Sequence, residues 1–206
     1  MGSVETIRHQ VAIAGLVADA QTGKGMDGVR VEITAAPAAF TDFLKLRKIQ
    51  FGQSWETMAE RPDRTNTMAD GAFRLLDLPD GQYKLTASLP VAGSRYGAAD
   101  AVVTVARDAQ GKIIRAAAQI ALPPTTIKGV ITGQGAGALQ MAEVRVKGSG
   151  ERTFSDAQGR YLLVGVEAGA RTVLISAQGF QPAAQSVTLN QAGASQTLDV
   201  ALTKPP

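Results

Sequence analysis

The side chains that usually do covalent or metal chemistry are almost missing from these 206 residues. There is no cysteine and a single histidine, His9. Disulfides, thiolate zinc sites, cysteine nucleophiles and any site built on two histidines are thereby removed. A Ser-His-Asp enzyme would have to use His9, a residue ahead of the first strand where solvent surrounds it. Asp70, Asp77, Asp80 and Asp156 do not form the Asp-x-Asp-x-Asp-Gly ladder that turns several oxygens toward one calcium ion, and they read as turn residues. Gly133-Gln134-Gly135-Ala136-Gly137 has no Lys-Ser or Lys-Thr after it and leads into a strand-like segment, so it reads as a hairpin loop and not a phosphate cradle. The expectation is a chain that is not an enzyme, with no cofactor and no metal.

What remains is the chemistry of recognition. Three of the six Phe (Phe40, Phe43 and Phe51) and the only Trp, Trp55, fall between Ala38 and Asn66. Phe40, Leu44, Phe51, Trp55 and Met58 are spaced as one stripe of a helix, with Phe43 beside it and Gly52 breaking it. Aromatic side chains and arginine are the usual anchors of protein interfaces. Phe43, Arg47, Phe51 and Trp55 are therefore candidate partner-binding residues, joined by Tyr96 in the Gly93–Gly97 loop. Two readings of the stripe stay open: a lid packed on its own domain, or a surface for docking a partner. For the segment itself one helix, two helices broken at Gly52, or a strand continued through Leu44-Lys45-Leu46-Arg47 are the alternatives. Phe73, Tyr83 and Tyr161 sit at inward positions of alternating strands and read as core.

The charge balance is mild, 21 Lys and Arg against 18 Asp and Glu. Cations are mixed with acids and not gathered on one face, so no nucleic acid partner is expected. No apolar run is long enough to span a bilayer, so membrane insertion is not expected either. Val11 to Ala20 reads as a strand and not as an export signal. The expected location is cytoplasmic, or extracellular if a leader has been removed.

The elements that must carry these residues come from an internal repeat. Ile13-Ala14-Gly15-Leu16-Val17 returns as Ile127-Lys128-Gly129-Val130-Ile131, and Val29-Arg30-Val31 as Val144-Arg145-Val146. Gly71-Ala72-Phe73-Arg74-Leu75 returns as Gly159-Arg160-Tyr161-Leu162-Leu163, Val103-Thr104-Val105 as Val187-Thr188-Leu189, and Ile120-Ala121-Leu122 as Val200-Ala201-Leu202. The offset is 114 to 115 residues early in the repeat, 88 at the Gly71 turn, and 84 and 80 in the last two pairs; the fall from 115 to 88 means that the first copy carries an insertion of about 27 residues ahead of Gly71. Short segments rich in Val, Ile, Leu, Thr and Tyr, separated by Gly, Asp and Pro, are the signature of a β-sandwich. The expected fold is all-β: two tandem antiparallel seven-stranded Greek-key β-sandwiches, the first with a helical insertion. The expected divisions are an N-terminal tail at 1–10, a first sandwich at 11–122 with its insertion at about 38–66, a Pro-rich linker at 123–126, and a second sandwich at 127–203.

In both copies this pattern resembles the carboxypeptidase regulatory-like domain, one of the transthyretin-like (prealbumin-like) β-sandwiches. The second copy carries it in Ser155-Asp156-Ala157-Gln158-Gly159-Arg160-Tyr161, Val166-Glu167-Ala168-Gly169 and Gln178-Gly179-Phe180. The first departs at Met68, where the pattern has Asp. The resemblance implies a non-catalytic accessory module that stiffens, spaces or docks, attached to peptidases, outer-membrane receptors, surface proteins or phage-tail-like assemblies. Two chemically active relatives are not matched: the hydroxyisourate hydrolases need several histidines, and the isopeptide-forming surface domains need an acid on an inner strand. The expected function is a structural or adaptor protein whose sandwiches bind protein partners, as an accessory subunit of a larger assembly such as a phage-tail-like machine. The alternative is an exported carbohydrate-binding or cell-surface module that stacks Trp55 and Tyr96 on sugar rings.

Overall fold

The computed structural model of the protein describes residues 9–58 and 61–206. The expected tail at 1–10 lies outside the described residues apart from His9 and Gln10, as do positions 59 and 60 of the insertion. Two compact units are present: one holds the chain up to Pro90 together with Ala99–Leu122, the other Val91–Ala98 together with Pro123–Pro206.

Unit 1 contains β1 (Val11–Asp19), β2 (Arg30–Ala35), α1 (Ala38–Phe51), α2 (Ser54–Thr57), β3 (Arg64–Asn66), β4 (Ala72–Leu76), β5 (Gly81–Ser88), β6 (Ala99–Arg107), β7 (Ile113–Ile114) and β8 (Ala116–Leu122). Its strands form two sheets, β4-β1-β8 and β3-β2-β5-β6-β7. Unit 2 contains β9 (Thr126–Gly133), β10 (Gly137–Ala138), β11 (Glu143–Val146), β12 (Arg152–Phe154), β13 (Arg160–Val164), β14 (Gly169–Ser176), β15 (Ala183–Leu189), β16 (Ser195–Thr197) and β17 (Val200–Leu202). Here β9 pairs with β10, β13, β16 and β17, and the other sheet runs β12-β11-β14-β15. Seven strands recur with the same neighbours, β4-β1-β8 matching β13-β9-β17 and β3-β2-β5-β6 matching β12-β11-β14-β15. The extra β7, β10 and β16 are only two or three residues long.

The sheets are antiparallel, as expected, except where the first and last strands of each unit meet. β1 pairs with β8 in parallel, and β9 pairs with β16 and β17 in parallel. Parallel neighbours need a long return path. The first and last strands of each unit have one, because the whole second sheet is threaded between them.

Each core follows from period-2 alternation, in which every second side chain faces inward. In unit 1 Ile13, Val17, Phe73, Tyr83, Leu85 and Leu122 are buried; in unit 2 Ile127, Ile131, Val144, Tyr161, Leu163 and Ile175 are. A glycine on the central strand stands in register with an aromatic on its neighbour in both units. Gly15 stands opposite Phe73, and Gly129 opposite Tyr161. A Cβ on Gly15 would strike the Phe73 ring and the Ala118 carbonyl, and one on Gly129 would strike the Leu198 carbonyl.

The turn that carries the repeat's signature has the same backbone bonds in both copies. Gly71 N–H donates to Met68 O and Met68 N–H to Ala72 O; Gly159 N–H donates to Asp156 O and Asp156 N–H to Arg160 O. In unit 2 Asp156 Oδ1 accepts the N–H groups of Gln158 and Arg160 at 2.9 and 2.8 Å. In unit 1, where Met68 occupies that place, Asp70 accepts Ala72 N–H at 2.9 Å instead. The preceding hydroxyl is buried in each turn. Thr67 Oγ1 donates to Met26 O at 2.6 Å and accepts Val29 N–H, while Ser155 Oγ donates to Leu139 O at 2.5 Å and accepts Ala142 N–H.

Val91–Ala98 belongs to unit 2, although its sequence position suggested the first sandwich at 11–122. Thr125 N–H donates to Arg95 O at 2.8 Å, Gly97 N–H to Pro123 O at 2.9 Å, and Thr125 Oγ1 to Ser94 O at 2.8 Å. The stretch expected to be a linker at 123–126 is thus hydrogen-bonded structure, with Thr126 already in β9. Backbone polar groups that pair need no solvent, and two prolines do not prevent their carbonyls from accepting.

Candidate functional site

The insertion folds as two helices. Pro37 caps α1 at φ −57°, a value its ring fixes and which suits a helix start. Gly52, at φ 54°, ends the helix and donates its N–H to Lys48 O at 2.9 Å. Left-handed backbone of this kind is inexpensive only for glycine. The break at Gly52 is the one the sequence suggests, and the strand alternative through Leu44–Arg47 does not form.

One face of the insertion is anchored. Phe40, 3% exposed, meets Tyr83 edge-on at 5.8 Å between centroids. Tyr83 donates its hydroxyl to Pro79 O at 2.8 Å, and burial pushes its pKa up to about 12. At the other end Trp55 is also 3% exposed. Its ring stacks on Phe51 at 6.4 Å and lies under the Arg61 guanidinium at 4.5 Å. Arg61 is held in a fork by Asp63 at 2.9 and 2.5 Å and reaches Glu56 at 3.1 Å. The Asp63 hydrogen bond, working against burial, lifts the Arg61 pKa above its already high ordinary value. Asp63 O also accepts Ile33 N–H at 2.8 Å, and Arg64 donates to Met58 O at 2.7 Å. The end of the insertion is therefore tied to β2 through a buried charge pair and an aromatic platform.

The candidate partner-binding residues separate accordingly. Trp55 is not presented to a partner: at 3% exposure it is covered, with Phe51 and Arg61 both against its ring. Phe43 is 40% exposed and Phe51 36%. Arg47 is partly covered between them, its guanidinium carbon 5.4 Å from the Phe43 centroid and 5.6 Å from that of Phe51. Tyr96 does not join this group; it belongs to unit 2, where it forms a backbone bridge to Pro124. The sequence reading missed Leu46 and Ile49, which are 67% and 80% exposed. They follow Phe43 at steps of three along α1; the Phe43 ring still lies 6.2 Å from that of Phe40, while Leu46 and Ile49 turn to the side away from Phe40 and Leu44.

The remaining candidates read as follows. His9 Nδ1 is engaged by Asp77 Oδ2, and Asp77 also accepts Gln10 N–H at 2.7 Å. Desolvation would raise the Asp77 pKa, but these bonds outweigh it and hold the carboxyl below its ordinary value. Gly133–Gly137 is the tight connection into β10. Among the described residues no three His, Asp or Glu side chains gather as a metal site would require. No helix among them is long and apolar enough to cross a membrane.

No curated protein matches the sequence. Among solved structures the chain is similar to the shaft pilin SpaA of Lactobacillus rhamnosus GG, at 14% identity and a TM-score of 0.44, over 98% of this chain and 99% of that one. It is similar to a cohesin–X-dockerin complex chain of Acetivibrio cellulolyticus at 17% identity and a TM-score of 0.33, over 39% of this chain and 58% of that one. The TIE protein of Bacillus anthracis follows at 13% identity and a TM-score of 0.38, over 94% of this chain and 34% of that one. The match with the cohesin–X-dockerin chain thus takes in little more than half of that chain's length. Residues 126–203, which hold β9 to β17, match the model of the carboxypeptidase regulatory-like domain.

Proposed function

We propose that this protein is a non-catalytic interaction module that docks a protein partner through the outward edge of α1, as an accessory subunit of a larger assembly. The observation that carries the reading is the contrast across one helix. Phe40 is clamped in the core while Leu46 and Ile49 stand 67% and 80% exposed. A single exposed Leu is ordinary. Three apolar side chains in step on a helix whose base is fixed by Phe40, Trp55 and the Arg61–Asp63 pair form a rigid, ready surface. Burying Leu46 and Ile49 against a partner would release about 1.5–3 kcal/mol each.

Charge indicates the partner's chemistry. α1 carries Lys45, Arg47 and Lys48 against a single acid, Asp42; Lys45 is paired with Asp42 and Lys48 with Glu56 in exposed pairs, and Arg47 has no carboxylate in ion-pair distance among the described residues. A second copy of the helix would bring like charges together, whereas an acidic amphipathic segment would pair with them. The non-catalytic part of the reading is supported by the match of residues 126–203 with a regulatory-like domain. No residue favours a phage-tail-like machine in particular. The carbohydrate alternative is disfavoured because Trp55, one of the two rings it would stack on a sugar, is covered.

The test is affinity capture from the native cell extract with the wild-type chain and with the Leu46→Asp, Ile49→Asp variant, both verified as folded by circular dichroism. Loss of one acidic partner with the variant supports the reading, and identical captures reject it.

A further inference from the structure

Unit 2 carries a second uneven distribution, of charge. Along β11 the buried Val144 and Val146 alternate with the exposed Arg145 and Lys147. Across the hairpin, Arg145 stands directly opposite Arg152 of β12. Like charges facing each other across an antiparallel pair destabilise it. None of Arg145, Lys147 and Arg152 has an acidic partner within ion-pair distance among the described residues, although elsewhere in unit 2 Arg95 and Arg171 do.

Beside this hairpin lies a cleft of about 280 Å³, lined by Lys147, the loop Gly148-Ser149-Gly150, Arg95, Glu167 and Arg171. That is several times the roughly 30 Å³ that a water molecule occupies in the liquid. The two arginines are held in place. Arg95 donates to Gly165 O at 2.6 Å and is paired with Glu151, while Arg171 donates to Glu167 Oε2 at 3.0 Å and to Ala168 O at 2.9 Å. A guanidinium fixed on one side by carboxylates and carbonyls keeps its other donors oriented at little further entropic cost. The three cations of the lining stand against Glu167 and, beside it, the Glu151 paired with Arg95, and Lys147 is the one of the three with no carboxylate in ion-pair distance among the described residues. The loop is open to an incoming group, since a Cβ on Gly148 or Gly150 would meet nothing within 4 Å. Gly148 turns at φ 75°, the kind of backbone that lets successive N–H groups converge on an anion.

We propose that the β11–β12 hairpin and this cleft form an oxyanion site that takes a phosphate or carboxylate group. Lys147 and the Gly148 and Gly150 amides contact the group, and Arg95 and Arg171 close its far side; the Ser149 amide is turned to Val146 O and takes no part. This site is independent of the docking edge on α1.

The test uses the full chain, isotopically labelled, in nuclear magnetic resonance titrations at fixed ionic strength with inorganic phosphate, with succinate and with chloride. Saturable shifts at the Gly148 and Gly150 amides are expected, with none in the Gly133–Gly137 loop. Lys147→Ala, at an exposed position that leaves the fold intact, should weaken the midpoint about fivefold or more, as loss of one charge-assisted contact does. Phosphate alone saturating identifies a phosphate site, and both anions saturating identifies a general oxyanion site. Shifts that track chloride, or that persist unchanged in Lys147→Ala, overturn the proposal.

Discussion

Arg61 lies over Trp55, its guanidinium carbon 4.5 Å from the ring centroid, while Asp63 grips the same guanidinium from the side. This relationship makes the one tryptophan an internal anchor, while Leu46 and Ile49 of α1 stay exposed.

Trp55→Ala is therefore expected to act on stability. It removes a buried aromatic and the platform under Arg61, at a cost of about 3–5 kcal/mol to unit 1. Leu46→Asp should change stability by less than about 0.5 kcal/mol, as exposed substitutions do. Urea unfolding of the two variants beside the wild type checks the contrast. Equal destabilisation would show that Leu46 is packed in solution.

Gly15 and Gly129 are expected to tolerate no side chain. Because a Cβ at Gly15 would run into the Phe73 ring and the Ala118 carbonyl, Gly15→Ala should cost about 1–3 kcal/mol through overpacking. Removing the ring as well, in Gly15→Ala with Phe73→Leu, should recover part of that loss. Double-mutant unfolding measurements give the coupling, and its absence would contradict the packing described.

Acid should weaken unit 1 partly through Asp77. Its folded-state pKa is depressed, so the stabilisation it provides is present above the unfolded carboxylate value of about 3.9 and is lost as pH falls through the folded value. Asp77→Asn keeps a residue suited to the left-handed backbone at φ 53° and removes only the charge. The stability gap between wild type and this variant, read by urea unfolding, should be present at neutral pH and shrink in strong acid. A gap that is constant with pH would rule out this role of the carboxylate.

Arg95 should matter to unit 2, despite its position between two strands of unit 1. Arg95→Ala leaves Glu151, a mostly buried carboxylate whose Oε2 already has no hydrogen-bond partner among the described residues, without its cation. Discounted for the partial exposure of Arg95, the loss should be about 1–3 kcal/mol. Hydrogen exchange should report it as faster opening of β11 and β12, with unit 1 unchanged. Faster exchange confined to unit 1 would refute the assignment.

Much of the strand framework was legible in the sequence, and for definite reasons. Gly15, Gly129, Gly71 and Gly159 mark places where backbone or ring comes too close for a side chain, so their spacing reveals the repeat. Period-2 alternation shows which residues of a strand share a face. It does not show the direction of a distant neighbour, so the parallel pairing of β1 with β8 was hidden. The aromatic stripe of the insertion was visible as helix spacing, but which side is covered depends on Arg61 and Asp63, residues outside the stripe. Trp55 therefore looked like a contact residue, while Leu46 and Ile49, unremarkable in type, passed unnoticed. Arg95 and Tyr96 look like a loop tip because the hydrogen bonds of that segment run to Pro123 and Thr125, far along the chain.

The most direct measurement of the central claim is photo-crosslinking in the native extract, with a photoreactive side chain placed at Ile49 in one protein and at Val102 in another. Both positions are well exposed in unit 1, at 80% and 60%, but Val102 lies on strand β6 and not on α1. A single acidic protein captured from position 49 and not from position 102 is the predicted result. The same products from both positions, or none from position 49, would contradict the account.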